Sequence, residues 1–183
     1  MRSLTGQLLV ASRHLRDPNF RQTVVLMLEH AEQGALGVVL NRPSDRTIRE
    51  VWEAVKADPC DNDNVIYVGG PVPGPLIALH DSEPLGEKEV LPGVYMSMQR
   101  ATLDQLVREP DQTVRVFNGN SGWACGQLEG ELKAGGWLRT AATAEDVFAD
   151  HQSLWKNATQ RIGLSIMLPG TSPDHFPGDP SAN

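Results

Sequence analysis

The chain has 183 residues, a length that favours one domain with a hydrophobic core of its own. Its composition of 40% hydrophobic and 21% charged residues excludes wholesale disorder. Acidic residues outnumber basic residues 23 to 16, and the net charge of -7 argues against a protein that holds DNA through its phosphates.

Short apolar runs bounded by Gly, Pro or Asn predict β-strands rather than long helices. The run Val24–Leu28 is continuously apolar, which is typical of a central strand covered on both faces. The segment His30–Gly34 joins two of these runs and predicts a hairpin loop that closes at its glycine. The predicted strands are Gln7–Ala11, Thr23–Glu29, Ala35–Leu40, Val65–Val68, Leu76–Leu79, Gly93–Met98, Thr113–Phe117 and Trp137–Arg139.

Capping signals and helical periodicity predict helices between these strands. Capping boxes begin two of them, at Thr47–Glu50 and at Thr102–Gln105. A third covers Gln127–Ala134, and a longer one runs from about Thr143 to Arg161 with a break near Asp150 or Ser153. Because strands and helices mix without a steady βαβ rhythm, the sequence favours an α+β fold with a mixed sheet.

The predicted domain covers residues 1–168. From Pro169 onward the chain consists of Gly, Pro, Ser and Asp with a single Phe, so it cannot bury enough apolar area to order itself. Residues 169–183 are therefore expected to form a flexible C-terminal tail.

No targeting or membrane-spanning segment is expected. The apolar stretch Leu8–Ala11 is too short for the core of a signal peptide, and no run approaches the ~18 apolar residues of a membrane helix. The two cysteines, Cys60 and Cys125, are too few for a disulfide framework or a cysteine-rich zinc site. We expect a cytoplasmic protein with reduced thiols and no membrane association.

The segment Asn118–Glu129 is the densest in residues with special backbone or chemical properties. A glycine-rich turn that leads into a helix N-terminus can bind a small anion, but this spacing matches neither a dinucleotide fingerprint nor a P-loop. The favoured interpretation is steric: a tight turn with Trp123 packed beneath it and a positive φ at Gly122 or Gly126.

Cys125 lies at the start of the predicted helix, where the helix dipole could lower the pKa of a thiol. A cysteine nucleophile also needs a histidine and an orienting Asn or Asp, for which His30, His80, Asn118 and Asn120 are available. A small, unreactive thiol is the favoured interpretation.

Metal and hydrolase motifs are not apparent. The five histidines are scattered, and Ser97 and Ser121 lie outside any Gly-x-Ser-x-Gly elbow. The segment Asp61–Asn64 begins like a calcium loop but lacks the glycine and the distal glutamate of that motif. We expect no metal and no cofactor.

A series of short motifs occurs in a fixed order between Gly6 and Gly163. They are Gly6–Ala11, Asp17–Phe20, Thr23–Leu26, His30, Gly34–Gly37, Val39–Pro43, Gly69–Val72, Leu79–His80, Gly93–Tyr95, Arg115–Phe117 and Gly122–Glu129. Together they resemble the AlgH/YqgE family of uncharacterised bacterial proteins. The chain departs from the family pattern at Asn118, Asn120 and Cys125, so a thiol mechanism would be particular to this relative.

The resemblance implies an α+β fold in which a mixed, branched β-sheet curls into a pseudo-barrel with helices packed outside, and an intracellular location. It implies no established activity. Family members are labelled transcriptional regulators because of a genetic link to alginate synthesis. This sequence has no helix-turn-helix with a basic recognition helix, so we expect no direct, specific DNA binding.

Two functional hypotheses stay open. The favoured one is a non-enzymatic binding or regulatory protein that contacts a protein partner or a small ligand through its turns. The alternative is an enzyme that uses Cys125 or the glycine-rich turn 119–127 on a small anionic substrate. If internal hydrogen bonds and packing engage Asn41, Arg42 and Trp123, the first hypothesis loses these residues as ligand contacts. The candidate binding residues are Asn41, Arg42, Gly69, Gly70, Pro71, Ser121, Gly122, Trp123 and Gln127.

Overall fold

The computed structural model describes residues 3–15, 17–55, 57–109 and 111–167. In these ranges the chain forms eleven β-strands and five α-helices. The expected tail, 169–183, lies outside the described residues. No α-helix in these ranges is long and apolar enough to cross a membrane.

The chain begins with four strands, three α-helices are then placed between strands, and two α-helices end the described chain. The strands are β1 (Gln7–Ala11), β2 (Val24–Ala31), β3 (Gly34–Val39), β4 (Pro43–Thr47), β5 (Val65–Val68), β6 (Ile77–His80), β7 (Lys88–Leu91), β8 (Val94–Ser97), β9 (Val114–Asn118), β10 (Ser121–Ala124) and β11 (Trp137–Ala141). The α-helices are α1 (Ile48–Ala54), α2 (Arg100–Leu106), α3 (Gln127–Lys133), α4 (Ala144–Phe148) and α5 (His151–Met167). Short 3-10 helices cover Pro18–Phe20 and Glu83–Leu85.

The strands divide between two sheets. The first is antiparallel in the order β10-β3-β2-β1-β11. The second, in the order β4-β5-β9-β6-β8-β7, is mixed because β5 and β9 run parallel. The sheets meet where the Val39 amide donates to the Gly69 carbonyl at 2.8 Å. The predicted α+β class with a mixed sheet is confirmed, and no closed barrel forms within the described ranges.

Strand β2 is buried on both faces, as its continuous apolar run predicts. Because successive side chains on a strand point to opposite faces, Val24 and Leu26 contact one hydrophobic cluster while Val25 and Met27 contact another. The first cluster also takes in Phe117 of the second sheet and the buried face of α5. It therefore holds the two sheets and the last helix together.

Local capping signals locate two helix starts. Thr47 and Thr143 each close a capping box, at the beginning of α1 and of α4. The predicted break in the last helix is found at Ala149, which is extended with ψ 163°. Asp150 then accepts a hydrogen bond from the Ser153 amide in the first turn of α5.

Helix α2 begins earlier than the capping box predicted at Thr102. Its first residue is Arg100, and its N-cap Gln99 makes no side-chain capping bond. The Glu87 carboxylate instead accepts hydrogen bonds from the amides of Met98 at 3.1 Å and Gln99 at 2.8 Å. Since this acceptor is supplied by the chain before β7, the local pattern around the helix placed the start wrongly.

Three strands lie outside the predicted runs. Strand β4 is polar and largely exposed at the edge of the second sheet, and β7 begins with two charged residues. Strand β10 lies within the segment that the sequence predicts as a turn, and it pairs with β3. Edge strands carry polar residues more readily than central strands, so their apolar pattern is weak.

The carboxylate of Glu131 connects two buried indoles. The indole nitrogens of Trp123 and Trp137 donate to the same oxygen, Oε2, at 3.0 and 2.8 Å. Trp123 is also stacked on Phe20, with ring centroids 6.2 Å apart. Gly126 caps α3 with φ 74°, so the predicted positive φ and the predicted burial of Trp123 are both found.

We predict that Trp123→Ala lowers the free energy of unfolding by about 3–5 kcal/mol, since it removes a buried aromatic side chain. The exposed Cys125 supplies the matched control, because Cys125→Ala changes stability by about 0.5 kcal/mol or less. Chemical denaturation of both variants measures the difference. Greater destabilisation by Cys125→Ala would contradict the structural role of this turn.

Candidate functional site

Several polar residues singled out from the sequence are engaged in the fold. Asn41 accepts a hydrogen bond from a β2 amide through Oδ1 and donates through Nδ2 to the Gln22 carbonyl, both at 2.9 Å. Gln127 accepts from the Ala124 amide at 3.1 Å. These bonds and the burial of Trp123 show that several of the candidate binding residues make contacts within the fold.

Gly69 and Gly70 lie at the junction of the two sheets. The Gly69 carbonyl accepts a second hydrogen bond, from Ser121 Oγ at 3.1 Å. A Cβ on Gly69 would collide with the Gly119 carbonyl oxygen, and one on Gly70, whose φ is 152°, with that of Asn120. The glycines permit the close approach of two backbone segments.

Pro71 and Gly122 flank the same junction and are exposed. Beside them, Val72 and Asn120 exchange backbone hydrogen bonds of 3.0 and 2.9 Å. The following residues of the glycine-rich turn form β10 and pair with β3. The turn 119–127 is thus largely a crossing between sheets rather than an open ring of amides.

Cys125 is exposed, and the two histidines considered as its base are engaged elsewhere. His30 Nδ1 accepts from the Leu4 amide at 3.1 Å, which leaves Nε2 to donate to Glu129 at 2.8 Å. Hydrogen bonds from its own backbone amide and from His30 hold the pKa of Glu129 below its ordinary value. This histidine therefore has no free nitrogen to accept a thiol proton.

His80 is fully buried, and burial lowers its pKa. Its Nε2 lies 3.0 Å from Ser97 Oγ, and that hydroxyl donates to the Leu85 carbonyl at 2.7 Å. The pair anchors the 3-10 helix Glu83–Leu85 and lies in the protein interior. It offers neither a base for Cys125 nor an accessible serine.

A cleft of about 470 Å³ opens on another surface, between the loop before β2, the loop after β3 and the first two turns of α5. It is lined by Pro18, Arg21, Gln22, Asn41, Arg42, His151, Gln152, Trp155 and Lys156. Among the described residues, none of those lining it is acidic. We call it the cationic cleft.

The first wall of the cationic cleft is fixed by the pair Asn41-Arg42. Arg42 donates one guanidinium hydrogen bond to the Arg21 carbonyl at 2.9 Å, and Asn41 holds the next carbonyl, that of Gln22. Gln22 has φ 55°, a left-handed conformation that a residue with a Cβ adopts at a cost. Neighbouring side chains thus hold a strained loop in one shape.

The second wall of the cationic cleft is the start of α5. Arg115 connects it to the first wall from beneath the cleft. Its guanidinium donates to the carbonyls of Ala149 at 2.8 Å and Leu40 at 3.4 Å. It also lies 4.5 Å from the centre of the Tyr67 ring, and that ring meets His151 edge-on at 6.0 Å. Because Leu40 precedes Asn41-Arg42 and Ala149 precedes α5, one side chain sets the separation of the walls.

Asp150 directly precedes His151, which lines the cleft. Its Oδ1 lies 3.8 Å from His151 Nδ1, and its other oxygen accepts from the Ser153 amide. No three His, Cys, Asp or Glu side chains of the described ranges are grouped so that they could hold a metal ion. The chemistry on offer in the cleft is therefore that of arginine, lysine and histidine donors.

Sequence reasoning found Asn41 and Arg42 but missed their neighbours. His151 is one of the five scattered histidines, and Lys156 belongs to no motif. The available signal is the helical spacing that places His151, Trp155 and Lys156 in successive turns at the start of α5. Only the tertiary fold brings that face to the loop around Arg21.

A family model described as AlgH-like matches residues 8–167. The chain belongs to the AlgH-like family. The resemblance drawn from the sequence motifs is thereby confirmed.

Known AlgH-like proteins agree with this assignment over nearly their whole length. A UPF0301 protein from Myxococcus xanthus is 39% identical over 169 residues, which cover 90% of this chain and 93% of the relative. One from Thermobifida fusca is 37% identical and covers 99% and 96%. The solution structure of the AlgH protein from Pseudomonas aeruginosa superposes with a TM-score of 0.76 at 33% identity, covering 93% of this chain and 95% of that one.

We predict that Arg115→Lys destabilises this AlgH-like chain by about 1–2 kcal/mol, because lysine cannot bond both carbonyls and cover the tyrosine ring. Arg139→Lys is the matched control. It changes an exposed strand arginine that makes no ion pair with a described residue, so we expect about 0.5 kcal/mol or less. Urea denaturation of the two variants measures both changes. Equal stability of the Arg115→Lys and Arg139→Lys variants would contradict the role of Arg115 in connecting the two walls.

Proposed function

We propose that this AlgH-like chain is a non-enzymatic, cytoplasmic binding protein that holds a phosphate-type anion in the cationic cleft. The observation that carries the proposal is the convergence of Arg21, Arg42 and Lys156 from three separate parts of the chain. No acidic residue of the described ranges lines the cleft beside them. A regulatory role would then follow from ligand or partner binding rather than from DNA recognition.

The charge distribution supports a functional role for this grouping. The chain carries a net charge of -7, so a surface drawn at random would place carboxylates among the cations. Cations of the same sign at close range repel one another and oppose folding unless an anion joins them. Proteins retain such locally unfavourable arrangements chiefly where function requires them.

The walls are arranged before any ligand arrives. Asn41 and Arg42 fix two successive carbonyls of the loop, and Arg115 connects both walls from below. A site whose backbone is already held loses little conformational freedom on binding. Arg42 uses one nitrogen on the Arg21 carbonyl, and its planar guanidinium lines the cleft, where such a group suits phosphate oxygens.

The same residues favour binding over catalysis. Within the described part of the chain, no cysteine, serine, aspartate or glutamate lines the cationic cleft, so it holds neither a thiol or serine nucleophile nor a carboxylate base. Cys125 lies on a different segment, and His30 and His80 are engaged as described. These contacts support the binding hypothesis over the enzyme hypothesis.

We predict saturable binding of inorganic phosphate that Lys156→Gln weakens about two- to fivefold, the range for one exposed ion pair. Lys156 makes no hydrogen bond with a described side chain, so this variant should keep the wild-type melting temperature. Arg100→Gln, which removes an equal charge from α2 outside the cleft, is the control and should bind like the wild type. Calorimetric titration at constant ionic strength measures all three.

Two results would contradict the proposed function. One is the absence of saturable phosphate binding by the wild-type protein. The other is equal weakening by Lys156→Gln and Arg100→Gln, which would indicate a general charge effect rather than a site.

We also predict no specific binding of duplex DNA near physiological salt, because the net charge is -7 and the fold presents no basic recognition helix in its described ranges. Fluorescence anisotropy with labelled duplexes of several sequences is the measurement. Sequence-dependent binding below about micromolar protein that survives added salt would contradict the prediction.

A further inference from the structure

A second cavity, of about 670 Å³, adjoins the cationic cleft. The two cavities share four lining residues, Pro18, Arg21, Gln22 and Trp155. Beyond the shared part, the second cavity is lined by Ser12, Arg13, Leu15 and Asp17. We call it the side groove. The cleft and the side groove therefore form one longer depression, and Arg21 and Trp155 lie where the two meet.

The floor of the side groove is anchored to the sheet and to α5. Ser12 donates through its amide to the Gly136 carbonyl at 3.0 Å and through Oγ to the Gly135 carbonyl at 2.6 Å. The Trp155 indole donates to the Ala11 carbonyl at 3.0 Å. The backbone directly before Arg13 is thus held by two separate parts of the fold, while the Arg13 side chain is exposed.

Asp17 is the acidic residue of the side groove. Its Oδ1 accepts a hydrogen bond from the Asn19 amide at 2.9 Å and caps the short helix Pro18–Phe20. This carboxylate is therefore oriented toward the backbone of its own turn. The cations along the depression, from one end to the other, are Lys156 and Arg42, then Arg21, then Arg13.

We infer that the ligand is a short linear oligophosphate, lying with one end in the cationic cleft and crossing Arg21 into the side groove. The inference rests on the proposed function and names its ligand class. A single phosphate offers one charged group, whereas a phosphate chain carries negative charge along its whole length and can meet each cation in turn. A long polyanion such as nucleic acid would extend beyond the depression onto a surface of net negative charge.

Calorimetric titrations with orthophosphate, pyrophosphate and tripolyphosphate test this inference, at constant ionic strength and with a chelator to remove divalent cations. We expect the affinity to rise with chain length, with tripolyphosphate binding about tenfold more tightly than orthophosphate. Arg13→Gln should remove about two- to fivefold of the tripolyphosphate affinity and leave orthophosphate binding unchanged. Arg100→Gln again controls for the loss of one positive charge.

The outcomes separate this inference from the proposed function. If orthophosphate binds and tripolyphosphate binds no more tightly, or if Arg13→Gln weakens both ligands equally, the oligophosphate inference is overturned and the proposed function stands. If neither ligand binds, both fail. Titration with ATP distinguishes the source of the chain: binding tighter than that of tripolyphosphate assigns a nucleotide, and equal or weaker binding assigns a free oligophosphate.

Discussion

Arg115 projects from β9 into the interior, where no carboxylate of the described residues makes a hydrogen bond with it, and the cleft above it depends on how that charge is accommodated. Burial lowers the pKa of its guanidinium from the ordinary value, since removing a cation from water is costly. Two backbone carbonyls and the face of Tyr67 offset this cost. Because the carbonyls belong to Leu40 and Ala149, satisfying one charge brings two distant loops together.

The junction of the two sheets imposes a second constraint. The chain must cross from β9 in the second sheet to β10 in the first, and it does so beside Gly69 and Gly70, where a Cβ would strike backbone. The crossing puts β10 against β3 and leads directly into α3. That helix carries Glu131 to the indoles of Trp123 and Trp137. The glycines that resemble a ligand-binding loop in the sequence are thus explained by packing.

The sequence predicted those parts of the fold whose causes are local. The capping box at Thr47, the strand β2 and the break near Asp150 each depend on a few neighbouring residues, and all are found. The start of α2 depends on Glu87, which belongs to another element, and β10 depends on pairing with β3. Neither cause is visible in a short window of sequence, and for that reason both were misplaced.

The candidate site was likewise predictable only in part. One reason is that the same residue can both stabilise the fold and line a binding surface. Asn41 and Arg42 were expected either to face a ligand or to be consumed internally. One nitrogen of Arg42 is used internally, because it donates to the Arg21 carbonyl. That bond fixes the shape of the surface that the Arg42 guanidinium itself lines. The pair is recognisable as a motif, but Arg21 belongs to no motif and Lys156 is marked only by its helical spacing from His151. Their significance comes from meeting on one side of a fold whose overall charge has the opposite sign.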